Sequence, residues 1–215
     1  MNNQLINYTL FLADNALILG QRNSEWCGHG PVLEQDIAIT NISLDLIGQA
    51  RNLYQYAALV VNSHDSNNIA TEDTLAYLRD VTAFKNCLLA EIPKGDWAVT
   101  ILRQFFFSSY QHLLYSELLK SPDTALSAIA EKSLKEVTYH VRWSSEWVIR
   151  LGDGTAESNN RMTDAIRQLW PYTGELFLPS DCETSAARTG IGCDVTKLKQ
   201  AWAERVQSIF AEATL

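Results

Sequence analysis

One uninterrupted stretch constrains this chain more than any other: Glu34 to Val61, EQDIAITNISLDLIGQARNLYQYAALVV. It holds no proline and a single internal glycine, Gly48, and it is several times longer than a typical strand of about 5–6 residues. Ile39, Ile42, Leu46, Ala50, Leu53, Ala57, Val60 and Val61 recur at steps of three and four, which is the apolar stripe of an amphipathic helix. Near its middle lies Asp45, one residue from the stripe position Leu46. Residues three apart on a helix stand about 60° from each other around the axis, so a carboxylate and a second ligand at that spacing share a face. Helical bundles that hold two metal ions use Glu-x-x-His in this way. Here Gly48 stands at the histidine position. The place for a metal is present and one ligand is missing.

The remaining periodicity is also helical. Leu5 to Arg22 carries a stripe of Leu5, Tyr8, Leu12, Ala16 and Leu19, while Leu10, Phe11, Leu17 and Ile18 make it apolar nearly all round. That pattern predicts a central helix in which Asp14 and Asn15 need partners. Asn23 to Leu33 reads as a turn around Gly-His-Gly-Pro, Asn62 to Thr71 as a polar surface loop, and Glu72 to Asp80 and Ala83 to Ile92 as short helices. Asp96 is placed to cap a helix from Trp97 to Lys120, and Ser121 or Asp123 to start one from Thr124 to Leu151. Thr155 to Leu178 is helical with a break expected at Pro171, Pro179 to Cys193 has no periodicity and reads as loop, and Val195 to Ala213 is a last amphipathic helix. No run has strand character and no repeat of solenoid period is present. The expectation is one all-α domain over residues 1–215, with four long helices in two ordered pairs and shorter helices around them.

Charge and cysteine usage narrow the function. A net charge of −8 argues against nucleic acid or an anionic membrane as partner, because phosphate binding needs a basic surface. No apolar run reaches membrane-spanning length; the densest near the N-terminus, Tyr8 to Gly20, is interrupted by Asp14 and Asn15, and Met1 to Asn7 lacks the positive charge of a signal peptide. Cys27, Cys87, Cys182 and Cys193 form no C-x-x-C pair and predict free thiols in a reducing cytoplasm.

What distinguishes this bundle is where polar residues interrupt its apolar faces: Asp14 on the first long helix, Asp45 on the second, Gln104 and Gln111 on the third, and Glu136, Tyr139 and His140 on the fourth. A carboxylate-bridged di-metal bundle draws one carboxylate from each of two helices and Glu-x-x-His from the other two. The two Glu-x-x-His places read Asp45-x-x-Gly48 and Glu136-x-x-Tyr139, with His140 one step further round at i+4. The layout is kept while both histidines are absent from it, so no metal is expected at Asp14, Asp45, Gly48, Gln111, Glu136, Tyr139 and His140.

The block GHGPVLEQDIAITNISLDLIGQARNL with the preceding Glu25-Trp26-Cys27, the segment KEVTYHVRWSSEWVIRLGDGT and the later TKLKQAW resemble the PaaC family of bacterial phenylacetyl-CoA epoxidase components from the first helix to the last. The resemblance implies a ferritin-like four-helix bundle that has lost its di-iron site. It also implies a structural role beside a related di-iron catalytic partner and the other components of the complex, with no cofactor in this chain. That complex, supplied with electrons by a flavin and iron–sulfur reductase, uses O₂ to epoxidise the aromatic ring of phenylacetyl-CoA in phenylacetate degradation. Family members usually continue past the point matching Leu215, a departure of this sequence from the pattern.

Plainer roles exist for each of these residues. Asp45 and Glu136 are expected to pair with Arg51, Lys135, Arg142 or polar groups across the bundle, and His140 to be a hydrogen-bonded core histidine. Cys27 and His29 are two potential zinc ligands without a second pair and read as part of a turn. Phe105, Phe106, Phe107 and Tyr110 read as core, and Trp143 with Trp147 as a second apolar face turned toward outer helices or an interface. Two other function classes stay open. A di-iron or di-manganese oxygenase in its own right needs four carboxylates and two histidines, whereas His112 and His140 have Ser109 and Val137 three residues before them. A helical homodimeric binding protein unrelated to oxygenases needs none of these residues.

Overall fold

The stripes read from the sequence become four long helices, α1 (Asn2–Ser24), α2 (Leu33–Asn62), α5 (Trp97–Leu118) and α6 (Thr124–Gly152), in a computed structural model that describes residues 2–63 and 69–215. Among the described residues there is no strand. The shorter helices are α3 (Glu72–Tyr77), α4 (Leu88–Glu91), α7 (Ala156–Leu169), α8 (Asp181–Thr189) and α9 (Lys199–Glu212). The long helices pack most heavily as the pairs α1/α2 and α5/α6, and α2 packs across onto α6. The result is an all-α, ferritin-like bundle. Of the loop expected over Asn62–Thr71, residues 64–68 lie outside the described residues.

Local chemistry explains where the elements begin. Asp96 and Asp123 each accept a hydrogen bond from the third amide of the helix they open, Val99 N and Leu126 N, both at 3.0 Å; such caps are worth about 0.5–2 kcal/mol each. Between α1 and α2 the chain reverses through Gly28, whose φ of +79° is open to glycine without strain. The turn is held by Asp36, whose carboxylate accepts the amides of Gly28 and Gly30 at 3.1 and 2.8 Å. Those amides hold the Asp36 carboxyl below its ordinary pKa. Cys27 and His29 belong to this turn, with His29 Nδ1 against the Cys27 carbonyl at 3.0 Å.

The structure corrects two of the expected elements. Pro179–Cys193 is not all loop: Asp181–Thr189 is helical, opened by a capping box in which Ser180 Oγ and the Glu183 carboxylate satisfy each other's backbone amides. With Ala83 ending a 3₁₀ turn that starts at Val81, Ala83–Ile92 is α-helical only over Leu88–Glu91. The residues before it stay extended because α1 takes their amides: Lys85 N donates to Asp14 Oδ2 at 2.8 Å and Cys87 N to Asn15 Oδ1 at 2.9 Å. These bonds also supply partners that the buried Asp14 and Asn15 required. Pro171 ends α7 in 3₁₀ turns, as its missing N–H dictates.

Phe105, Phe106 and Phe107 are buried in the core. Phe106 meets Trp202 of α9 at 5.5 Å between ring centroids, and Trp202 Nε1 donates to the Phe106 carbonyl at 2.9 Å. Trp143 and Trp147 turn inward, both edge-on to Trp97 at 6.2 and 6.3 Å, and Trp26 closes the cluster against Trp97 at 5.0 Å. No helix among the described residues is long and apolar enough to cross a membrane.

Candidate functional site

Two clusters of polar residues inside the bundle lie on different sides of α2, while Gln104 is bonded apart from both, accepting from Asn23 Nδ2 at 2.6 Å. Tyr54 and Gln49 are five residues apart, which turns them about 140° from each other around the helix axis. Each therefore faces a different set of neighbours.

Tyr54 faces α1. Its hydroxyl donates to Asp14 Oδ1 at 2.6 Å, and Asp14 is wholly buried. Arg79, just beyond α3, lays its guanidinium against the same carboxylate, Nη1 at 3.1 Å from Oδ2 and Nη2 against Oδ1. Arg79 is held in turn by the faces of Phe84 and Tyr54, 4.3 and 5.6 Å from the ring centroids. Burial and the Asp14 charge push the Tyr54 phenol well above its ordinary pKa. A carboxylate with a guanidinium, a phenol and the Lys85 amide around it has its acceptor capacity taken. These bonds tie Asp14 to α3 and its following turn, away from Asp45, Gln111, Glu136 and His140.

Gln49 faces α5 and α6. Its Nε2 donates to Glu136 Oε2 at 2.9 Å, and its Oε1 accepts from Gln111 Nε2 at 3.0 Å. Gln111 Nε2 also reaches the hydroxyl of Tyr115 at 3.1 Å; burial pushes that phenol upward in pKa. One helical turn along, His140 Nε2 donates to Asp45 Oδ2 at 3.0 Å. The two cross-helix pairs, Gln49 with Glu136 and Asp45 with His140, run in opposite order along α2 and α6, as antiparallel helices require. Both helices present their inward polar groups at i and i+4.

This spacing separates the sequence-derived positions. Asp45 meets His140, and Glu136 and Gln111 are joined through Gln49, so each carboxylate pairs across the bundle. Arg51, Lys135 and Arg142 pair elsewhere, with Glu72, Glu131 and Glu146. Gly48 and Tyr139 stand apart. A Cβ at Gly48 would meet nothing within 4 Å, and Tyr139 is 46% exposed. Sequence reasoning missed Gln49, Tyr115, Tyr54 and Arg79. Gln49 was findable, because it continues the stripe three residues after Leu46 and four before Leu53.

The donors do not fit a di-metal centre. The central position is held by two carboxamides hydrogen-bonded to each other, which are poor substitutes for carboxylates around a doubly charged pair. Among the described residues, no three His, Cys, Asp or Glu side chains converge to hold a metal ion.

Compared with known proteins, residues 1–215 match the family described as phenylacetic acid catabolic protein. The chain belongs to that family. Within this relationship it is 46% identical over 213 residues to the C component of the 1,2-phenylacetyl-CoA epoxidase of Escherichia coli (strain K12), a match covering 99% of this chain and 84% of that protein. The phenylacetic acid catabolic family thus accounts for the whole bundle, including the helices that carry both polar clusters.

Proposed function

We propose that this chain is the non-catalytic structural component of a multicomponent phenylacetyl-CoA ring 1,2-epoxidase, works in the cytoplasm, holds no metal of its own and supports a di-iron catalytic partner. The observation that carries the reading is the hydrogen-bonded set Gln49, Gln111, Tyr115 and Glu136, which links α2, α5 and α6. It fills the interhelical position with side chains bonded to one another, in a chain 46% identical to the C component of an epoxidase. A catalytic centre needs open, convergent donors. A scaffold needs a rigid bundle, and side-chain hydrogen bonds that cross from α2 to α5 and α6 brace it.

The test has two parts. Elemental mass spectrometry of the chain expressed in iron-replete medium should find iron and manganese near zero per chain. Affinity capture should then recover the di-iron partner, with ring epoxide formed only when that partner and the reductase are present. Two metal ions per chain, or epoxidation by the chain with reductase alone, would overturn the reading.

A further inference from the structure

The first half of α2 exposes a strip of apolar side chains before Arg51 and Gln55 take over the same face, where a surface helix ordinarily carries charge throughout. Leu33, Ile37, Leu44 and Ile47 fall within an arc of about 80° around the axis, and Leu33 and Leu44 are 71% and 61% exposed. Beside this strip lies a cavity of about 220 Å³, edged by Ile47 and by Tyr77 of α3. Gly48 adds open ground, since a Cβ there would touch nothing within 4 Å, and an approaching backbone can come close. Arg51 stands one turn beyond the apolar strip, which from Leu33 to Ile47 is about 21 Å long. That is the scale of the apolar centre of a standard interface of roughly 800 Å² per partner, completed by a polar rim.

The rim has a sign. Glu34 and Asp45 border the strip on the flank toward α6, and Glu72 and Asp73 on the flank toward α3. Arg51, at the end of the strip, is already paired with Glu72 at 2.9 Å. Lys135 and Arg142 on the outer side of α6 are paired with Glu131 and Glu146. A second copy of this chain across a two-fold axis would set acidic rim against acidic rim, which disfavours the contact. We propose that the outer face of α2, with the groove to α3, docks a helical face of a different protein whose centre is apolar and whose edge carries Lys and Arg. The occupant is the di-iron protein, and the assignment rests on the scaffold reading above.

Calorimetric titration of the purified di-iron protein into this chain tests it, with wild type compared to Leu44→Glu and Asp73→Lys. Both substitutions are on exposed positions, and unchanged circular dichroism and melting confirm that each variant folds. Leu44→Glu is expected to raise Kd at least about tenfold and Asp73→Lys a few-fold. Salt at about 0.5 M should weaken wild type more than Asp73→Lys, because it screens the rim. If wild type binds and both variants bind equally well, the docking face is wrong and the scaffold reading stands. If wild type does not bind, both are overturned. Wild-type self-association abolished by Leu44→Glu would make the occupant a second copy and overturn the assignment.

Discussion

On the α1 side of α2, a buried carboxylate faces a guanidinium; on the other side, toward α5 and α6, carboxylates face a carboxamide and an imidazole. The first cluster is charged and enclosed. Asp14 is fully buried, its Arg79 partner nearly so, and the pair spans 65 positions of sequence. The second is led by amides, and its outer member, Asp45, keeps a side-chain exposure of 36%. A buried charge is tolerated only with a matched counter-charge, whereas neutral amides need only hydrogen bonds. So the two clusters should fail differently. The first should respond to loss of charge pairing, the second to loss of a hydrogen-bond partner.

The largest effect is expected from Arg79→Met, which leaves Asp14 buried without its counter-charge and should cost about 3–5 kcal/mol in urea unfolding. Adding Asp14→Asn to that variant should recover much of the loss, and a strictly additive double-mutant cycle would break the distinction. Next comes Gln49→Leu, which strands a Gln111 donor and an oxygen of Glu136; a loss of roughly 1–3 kcal/mol is expected from the same measurement. Asp45→Asn retains an acceptor for His140 at a half-open position, and its cost should stay below about 1 kcal/mol. Gly48→Ala removes a glycine from a helix interior where the new methyl meets nothing, so thermal unfolding should show a gain of about 0.5–1 kcal/mol. The double substitution Gly48→His with Tyr139→His should leave iron content unchanged in elemental analysis, because both side chains stand away from Gln49 and Glu136. Iron uptake by that variant would reunite the positions that the i, i+4 geometry separates.

That geometry shows how far the sequence could be read. The long helices were legible from their stripes because burial of one face imposes a period of 3.6 on apolar residues. The site was legible only in part. Asp45, Gln111, Glu136 and His140 stand out as polar residues on apolar faces, and all four bond across the bundle, Asp45 with His140 and the other two through Gln49. The i, i+3 frame places Gly48 and Tyr139 in the site, and the actual crossing of α2 and α6 selects i+4. Helix α8 escapes a reading by periodicity although Ser180 and Glu183 stand at capping-box spacing. Its run is too short and polar for a stripe to reveal it.

While it left Ser121 and Asp123 as alternative starts of α6, the sequence by itself determined the helical class, the boundaries set by Asp96 and Pro171, and the absence of histidine from both Glu-x-x-His places. These are local consequences of hydrogen-bonding capacity, ring geometry and side-chain period, and no distant residue can change them. Only the tertiary structure decided that Arg79 neutralises Asp14, that α1 side chains hold Lys85 and Cys87 extended, and that Gln49 rather than Gly48 faces Glu136. Each depends on the rotation and crossing of helices packed against one another, a property of the pair that neither segment encodes alone.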